Sequence, residues 1–540
     1  MTEKIKSAPL FIFCLISLLV ATVISYMPSI DVPFYLDDSG SIVENRRVQA
    51  ESLQPLINGP DRMRIVGYAS LWVNYQISGL DVGSYHWVNL AIHIINGLLV
   101  FWLALIILRT FSVKTQDANR WWALLIATLW LLHPLNSQSV IYIVQRLASI
   151  AALFYLLTAI SYIRLRQSDS IIKRLVYGAV LLFCLVAGLH SKQNYVCVFI
   201  FLFIWELFTA SPIVRHYLLR MTVFGVVALC LITPFISEFW QALDKFTRDP
   251  LSDSRTSYFY TQTLVLWDYY WRFVLPTNLQ LEIYVPLKKT MDAGVGFALL
   301  AHLLVMGLSI YWRRVIPLLF VGVMFFYTSH MVESFIIPIK DLAFEHRTYI
   351  GNIGLVIALV GVLKYLYDNQ KFKLSAKVLA FTAGVVVIAY GGLIYQRATL
   401  WQDPFAFYAN EVTMSPDHAR ANFSYGFELM IREKPAQAEP YLKKSFEIGM
   451  RNKKVTISGI NTYMTVLYQQ GKYQQAAQMA MVGLTHIKYG PDRSLLLGNI
   501  AYGYIKMGIC DFAVGLLRTA IKLNPENQQA KNNLKACIKE

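Results

Sequence analysis

The 540-residue chain is 56% hydrophobic and 15% charged, with a mean hydropathy of +0.44. Soluble domains carry about 25% charged residues, so this composition excludes a single soluble domain and a disordered chain. A net charge of +16 would suggest nucleic acid in a soluble protein. In a membrane protein it indicates basic cytoplasmic loops and contacts with anionic lipid headgroups.

Apolar stretches long enough to cross a bilayer run from the N-terminus to about residue 396. We predict eleven membrane-spanning helices, the first an uncleaved anchor because it lacks a small-residue cleavage site. They cover 8–28, 86–108, 121–137, 139–163, 174–190, 194–210, 217–237, 293–311, 315–332, 348–367 and 376–396. The aromatic segment 258–275 holds Asp268 and Arg272, which favours an interfacial or re-entrant segment over a span.

Basic residues cluster in alternate connections between the predicted spans. They are Lys4, Lys6, Arg109, Lys114, Arg120, Arg164, Arg166, Lys173, Arg174, Arg215, Arg220, Arg313, Arg314, Lys364, Lys371, Lys373 and Lys377. The positive-inside rule then places the N-terminus in the cytoplasm. Loops 29–85 and 238–292 and the C-terminus are expected on the external side.

From about residue 404 the composition becomes that of a soluble domain, and a repeat is present. Gly508, Ala513 and Ala520 have offsets of 5 and 7, and the set Gly471, Ala476 and Gly483 repeats these offsets 37 residues earlier. Such units are typical of tetratricopeptide (TPR) helix–turn–helix repeats, and a weaker unit covers 417–450. We predict a transmembrane domain at 1–398 and an external TPR domain of about three repeats at 399–540; an unrelated helical bundle is the alternative.

The first external loop carries two adjacent carboxylates, Asp37 and Asp38. Their repulsion raises one pKa, which leaves a general base or a metal ligand ready for use; a turn that only precedes a helix is the structural alternative. Arg62 and Arg64 follow in the same loop, where they would bind phosphate or lie at the headgroups.

Further polar residues lie in or beside the predicted spans. His86, Asn89 and His93 share one helix face, as a metal pair or, better, as a hydrogen-bonded interhelical seam, because no carboxylate shares that face. The other candidates are His133, Arg146, His190, Lys192, Glu333, Lys340, Asp341, Glu345, His346, Arg347 and Tyr349. We expect Arg64, Arg146, Lys192 and Arg347 to converge on one external cavity that suits an anionic, phosphate-containing lipid.

Several well-known motifs are absent from the sequence. It contains no GxxxxGKS/T loop, GxSxG elbow, HExxH pair or dinucleotide fingerprint, which argues against ATP-driven chemistry and serine attack. Its halves show no matching Gly/Pro-broken spans, as an inverted-repeat transporter would. Of the six cysteines, at most Cys510 and Cys537 are expected to pair.

The order of several segments resembles a known family. After the acidic pair come "RIVGYASLWVNYQISGLDVGSYHWVNLAIHIINGLLV", "LHPLNSQSVIYIVQRLASIAALFYLL", "HSKQNYVCVF", "FEHRTYIGNIGL" and "LWQDPFAFYANEVTMSPDHARANFSYG". Together they are similar to the transmembrane-and-TPR-containing O-mannosyltransferases and their bacterial relatives, which are GT-C-type glycosyltransferases. The resemblance implies an all-α, polytopic GT-C fold of about eleven membrane helices followed by TPR repeats.

The resemblance also implies roles for individual residues. Its acidic pair matches Asp37 and Asp38 and contains the catalytic carboxylate, and its basic residue matches Arg64. The "HxxNxxxH" helix matches His86, Asn89 and His93, and the "HP…R" segment matches His133 and Arg146. Its "SKE" motif appears as Ser191-Lys192-Gln193, without the glutamate, and its "E-R-YLP" motif as Glu345, Arg347 and Tyr349 followed by Ile350-Gly351.

The implied reaction is inverting sugar transfer from a polyprenyl phosphate on the external membrane face. Asp37 or Asp38 would act as general base, cations would stabilise the leaving phosphate, and the TPR domain would hold an acceptor protein. A bacterial inner membrane with periplasmic repeats would be the location. No cofactor is certain; a divalent metal would need further ligands, such as Glu333 or Glu345. The alternatives are transfer to a lipid or surface glycan, a membrane-anchored TPR scaffold without enzyme activity, and a transporter or flippase.

Overall fold

The computed structural model describes residues 2–111, 116–232, 254–339, 341–369, 375–452 and 454–539. Lys340 and the first part of the predicted loop 238–292, up to residue 253, lie outside the described residues. All regular elements of the described residues are helices, as predicted for an all-α protein. The chain divides into two compact units, Met1–Gln402 and Asp403–Glu540.

The first unit is built from long helices connected by short turns. Its described helices are α1 (Thr2–Tyr26), α2 (Gln54–Ile57), α3 (Ile65–Ser78), α4 (Val82–Phe111), α5 (Gln116–Leu131), α6 (Gln138–Ile141), α7 (Arg146–Gln167), α8 (Ile171–Leu189), α9 (Cys197–Thr209), α10 (Pro212–Ile232), α11 (Arg255–Val274), α12 (Ala293–Tyr311), α13 (Pro317–His330), α14 (Thr348–Asp368) and α15 (Ala376–Gln402). Shorter 3₁₀ or π turns are Met27–Asp31, Ser39–Val43, Pro60–Arg64, Pro134–Asn136, Ile143–Gln145, Gln193–Val196, Trp312–Arg314, Met331–Ile336 and Glu345–Arg347.

Eight helices in the described residues are long and apolar enough to cross a membrane. A ninth span results if Ala118–Leu131 and Pro134–Ile141, which meet at 54°, are counted as one. The fold is therefore that of a polytopic, integral membrane protein. The predicted span 194–210 is α9, of only 13 residues. The predicted span 217–237 continues past the described residues, so the total of eleven stays a prediction.

The outer surface of the first unit is apolar where a soluble protein would be polar. Phe13 is 67% exposed, Phe297 72% and Ile388 77%. These side chains lie on α1, α12 and α15, whereas most of the apolar part of α7 is buried inside the bundle. Exposed apolar bands of this size are unfavourable in water and match the hydrocarbon core of a bilayer.

Helices α13 and α14 are packed closely through glycine. A Cβ atom on Gly322 would collide with the carbonyl oxygen of Gly354, and a Cβ on Gly354 with that of Gly322. Small residues permit this close approach, which increases the dispersion contacts between the helices. Such packing matters in a membrane because apolar lipid supplies no hydrophobic driving force for helix association. The N-terminal half of α14 is thereby held against α13.

The segments that connect the long helices contact one another at one end of the bundle. The Tyr35 hydroxyl donates to the carbonyl of Trp401 at 2.6 Å, the Val66 N–H to His190 at 3.0 Å, and the Gln138 amide to Leu281 at 2.6 Å. Basic residues lie toward the C-terminal ends of other long helices whose N-terminal ends face this region. Examples are Arg109 on α4, Arg164 on α7 and Lys364 on α14.

The second unit consists of antiparallel helix pairs. Its described helices are α16 (Pro404–Met414), α17 (Ala419–Ile431), α18 (Pro435–Arg451), α19 (Ile457–Gln469), α20 (Tyr473–Leu484), α21 (Gly490–Lys506), α22 (Cys510–Leu523) and α23 (Gln528–Lys539). The turns within two pairs contain Gly471 and Gly508 at φ +72° and +76°. In the preceding pair Glu433 lies in the corresponding turn at φ 58°, a conformation that favours glycine.

Cys510 and Cys537 form a disulfide that joins the start of α22 to the end of α23. The bond is the one pairing that the cysteine pattern allowed. It closes a segment with a sequence separation of 27 residues. Such bonds persist in oxidising compartments and not in the cytosol.

We expect the double variant C510S/C537S to loosen α23 before the rest of the second unit, because a bridge over a loop of this length contributes roughly 3 kcal/mol. Hydrogen exchange followed by mass spectrometry should show faster exchange in 528–539 and unchanged exchange in α17, the internal control. Equal exchange of 528–539 in variant and wild type would contradict this assignment.

Candidate functional site

The acidic pair of the first loop is split between the interior and the surface. Asp38 is only 1% exposed, and its two carboxylate oxygens accept the backbone N–H groups of Tyr35 at 3.0 Å and Val144 at 2.8 Å. Asp37 is exposed, and its own N–H donates to the Tyr142 hydroxyl at 2.9 Å. Leu36, just before the pair, has φ 37°, a sparsely populated conformation. Asp38 thus anchors the loop and Asp37 faces outward.

Burial raises the pKa of Asp38 to about 7. The two N–H donors oppose this shift, while the charge of Asp37 adds to it. The carboxylate is therefore costly to ionise but well supplied with donors when ionised. A buried carboxylate that accepts two backbone N–H groups suits a positioning role.

Asp37 lines a pocket of about 220 Å³ beside the first loop. The residues that line it are Asp37, Gly40, Ser41, Arg64, Tyr68, Val144, Gln145, Leu147 and Lys192. One carboxylate and two cations line the same space, together with Ser41 and Tyr68. The charged lining therefore has an excess of one positive charge when all three groups are ionised.

Arg64 reaches the pocket from the turn Pro60–Arg64, which directly precedes α3. Its guanidinium Nη2 donates to the side-chain oxygen of Gln193 at 2.9 Å. The backbone bond from Val66 to His190 holds the same two segments together. Two distant parts of the chain are therefore joined at the pocket wall, and the guanidinium is held by a neutral partner.

Lys192 is 9% exposed and lines the pocket from the turn after α8. Burial lowers the pKa of Lys192 to about 8; Glu333 raises this pKa, and the positive charges of Arg64 and Arg347 lower it further. No residue in the described ranges forms an ion pair with the Lys192 ammonium within 4.0 Å. The lysine is mostly charged at neutral pH and available to an anion.

Arg146 is adjacent in sequence to two pocket residues, but its side chain points into the protein. It is fully buried and donates to Asn89 at 2.6 Å, to Asn74 at 2.8 Å, and to the carbonyls of Tyr85 and Ser70. The guanidinium joins α3, α4 and α7, and Arg146 does not line the pocket. Its role is to hold the elements that carry Arg64 and Val144.

The predicted seam on α4 consists of hydrogen bonds. His86 Nε2 donates to the carbonyl of Val32 at 2.8 Å, and the Asn89 amide donates to Val140 at 3.1 Å. His93 Nε2 donates to the carbonyl of Leu131 at 2.9 Å, and its Nδ1 is 2.8 Å from the Tyr349 hydroxyl. These side chains are buried at helix contacts outside the pocket lining.

His133 and His190 also make contacts with the protein itself. His133 Nε2 donates to the carbonyl of Phe273 at 3.0 Å and its ring stacks on that phenyl group. His190 Nδ1 lies 2.9 Å from the carbonyl of Val186. Neither histidine lines the pocket.

The predicted cluster at 345–349 forms a buried network next to α14. Glu345 is paired with Arg397 at 2.6 Å, and Arg272 lies 3.9 Å away. His346 Nδ1 is 3.0 Å from the Gln138 side-chain oxygen. Arg347 donates to the carbonyls of Asp341 and Leu342, so it does not join Arg64 and Lys192 in the pocket lining.

Of the predicted site residues, the pocket brings together Asp37, Arg64 and Lys192. Sequence reasoning missed other members of the lining and their supports, namely Ser41, Tyr68, Tyr142, Gln145 and Gln193. They are uncharged residues of common types, and no spacing distinguishes them. Two positions gave an indirect signal: Gln145 lies next to Arg146, and Gln193 stands where the resembled "SKE" motif has its glutamate.

No three His, Cys, Asp or Glu side chains gather into a possible metal site within the described part of the chain. Glu333 and Glu345 are therefore not brought together with Asp37 and Asp38 as metal ligands. Comparison of the sequence with family models and with curated proteins gave no match.

We expect the affinity of this pocket for a phosphate group to fall as the pH rises above about 8, because Lys192 loses its proton there. In Lys192→Arg the affinity should stay nearly constant to about pH 9.5, because arginine keeps its charge. Calorimetric titration of the detergent-solubilised protein with farnesyl phosphate measures this. Matching pH profiles for wild type and variant would contradict the assignment.

Asp38 should also give the fold a pH dependence. The pKa of Asp38 in the folded protein, about 7, exceeds the unfolded value of about 3.9. Asp38 therefore adds its full contribution to the free energy of unfolding below the unfolded pKa, and this contribution is lost as the pH rises to about 7. Asp38→Asn cannot titrate, so its loss of thermal stability relative to wild type should be largest near pH 5 and smallest near pH 8. The exposed neighbour provides the control, since Asp37→Asn should keep most of the wild-type profile. Parallel profiles for wild type and Asp38→Asn would refute this role.

Proposed function

We propose that this protein is an inverting glycosyltransferase of the GT-C type that uses a sugar linked to a polyprenyl phosphate and O-glycosylates proteins. The observation that carries the proposal is the pocket that joins the exposed carboxylate of Asp37 to Arg64 and Lys192. A base and two cations in one small space match the two needs of sugar transfer from a phosphate. The order of motifs in the sequence supports the same family.

In the proposed reaction, Asp37 accepts the proton of the acceptor hydroxyl. The hydroxyl oxygen forms a bond to the anomeric carbon on the face opposite the phosphate, and the bond from that carbon to the phosphate oxygen breaks. The electron pair leaves with the phosphate, whose growing negative charge Arg64 and Lys192 stabilise. Attack from the opposite face inverts the anomeric centre. A general acid is not required, because phosphate is already a good leaving group.

Asp38 is assigned a positioning role in this scheme. Its bonds to Tyr35 and Val144 fix the backbone on both sides of Asp37 and the segment that forms one pocket wall. Both N–H donors require acceptors, so an amide in place of the carboxylate would oppose one of them with its own donors. The base and its support are thus two adjacent residues with different environments.

The membrane arrangement also supports the proposal. The pocket lies at the end of the bundle opposite the basic helix ends, which by the positive-inside rule would be cytoplasmic. The site would then face the periplasm or exterior of a bacterial inner membrane, with up to eleven spans in the complete domain. The disulfide Cys510–Cys537 agrees with an external second unit.

The second unit is proposed to be a stack of TPR repeats that binds the acceptor protein. Its helix pairs and repeated glycine turns fit such repeats, which usually bind peptides or proteins. Transfer to a lipid or a surface glycan, with the repeats binding partner enzymes, is the alternative acceptor class. Mass spectrometry of surface proteins from a deletion strain distinguishes the two, since only protein transfer predicts the loss of a hexose-sized modification.

We expect Asp37→Asn to reduce kcat for sugar transfer by about 10²- to 10⁴-fold, the usual contribution of a general base. The affinity for farnesyl phosphate should be unchanged or slightly higher, because a negative charge is removed from the pocket. Transfer is measured with the reconstituted full chain and a panel of prenyl-phosphate hexoses. Full activity in Asp37→Asn would contradict the proposed base.

A further inference from the structure

Arg64 lines the pocket and has a neutral partner, unlike the arginines of the first unit that form ion pairs. Arg397 pairs with Glu345 at 2.6 Å and Arg272 with Asp268 at 2.6 Å, so their charges are compensated. The described residues offer Arg64 no such ion pair, and its hydrogen-bond acceptor is the neutral oxygen of Gln193 at 2.9 Å. The guanidinium is therefore oriented but keeps its full charge.

Gln193 is well placed to orient an arginine. It begins the turn Gln193–Val196 directly after Lys192, and it is half-buried. The bond between Val66 and His190 fixes the backbone on the two sides of this contact. A side chain anchored in this way restricts a long, exposed arginine, which would otherwise lose rotamer freedom on binding a ligand.

The neutrality of Gln193 matters for the charge of the pocket. With Asp37, Arg64 and Lys192 ionised, the lining carries one net positive charge. A carboxylate at position 193 would accept the same hydrogen bond and cancel that surplus. An amide therefore accepts the hydrogen bond of the guanidinium without adding a negative charge. The positive charges of Arg64 and Lys192 remain available to a phosphate.

We infer that Gln193 is a positioning residue that holds Arg64 toward the phosphate of the ligand without neutralising it. The inference rests on the proposed function, since it specifies how that function's phosphate group is bound. It has two separable parts. One is the hydrogen bond that orients Arg64, and the other is the absence of charge at position 193.

The first part is tested by a double-mutant cycle with Gln193→Met, Arg64→Gln and the double variant, using the solubilised full chain and farnesyl phosphate. Methionine keeps the length and neutrality of glutamine, but its thioether is only a weak acceptor. We expect Gln193→Met to weaken binding about threefold alone and to have no further effect once Arg64 is replaced. An equal loss in both backgrounds would overturn the positioning role.

The second part is tested with Gln193→Glu, which keeps both shape and acceptor. Binding of farnesyl phosphate should weaken by about three- to tenfold, and its dependence on salt should become less steep. Arg62→Gln is the matched control, because Arg62 is exposed, lies two residues from Arg64 and does not line the pocket; it should bind as wild type. Wild-type affinity in Gln193→Glu would overturn the role of neutrality.

The two proposals fail in different ways. If wild-type protein does not bind farnesyl phosphate at all, the proposed function is contradicted. If it binds, and Gln193→Met and Gln193→Glu bind equally well with unchanged thermal stability, only the inference on Gln193 is contradicted.

Discussion

The site depends on one buried carboxylate. Asp38 accepts an N–H from Tyr35 in its own loop and another from Val144, more than a hundred residues further along the chain. These two bonds close the first loop onto the segment before α7, and the pocket forms between them. A buried charge is unfavourable unless its hydrogen bonds are made. The loop therefore has one favourable position, in which Asp37 faces out.

The buried polar residues around this anchor form a frame rather than a binding surface. Arg146 joins three helices through Asn89, Asn74 and backbone carbonyls, and Glu345 joins α14 to α15 through Arg397. Inside an apolar bundle, each such group must find its partners within the protein. The result is a set of fixed helix ends on which a small, partly exposed pocket is built. Bonding separates the two classes of cation: those in the frame are ion-paired or hydrogen-bonded to several groups, and those in the pocket have no ion pair among the described residues.

Adjacent residues can thus have distinct roles in this protein. Three pairs of neighbours show this: Asp37 and Asp38, Gln145 and Arg146, and Lys192 and Gln193. In each pair one residue lines the pocket and the other supports it through hydrogen bonds. Tight turns place consecutive side chains in opposite directions. The same property explains why composition and spacing identified the region but not the exact lining. Polar residue types alone do not indicate which way a side chain points.

The sequence by itself determined the all-helical class, the long apolar helices, the change of composition near residue 400 and the cysteine pair, because these follow from local hydropathy, periodicity and separation. It also identified Asp37, Arg64 and Lys192 as candidates, since ionisable residues beside membrane helices are rarely without a role. Only the tertiary structure decided that Arg146 and Arg347 are held by the protein, and that Ser41, Tyr68 and Gln193 belong to the site. Those assignments depend on contacts between segments far apart in the chain, as between Arg64 and Gln193, and no local pattern records such contacts.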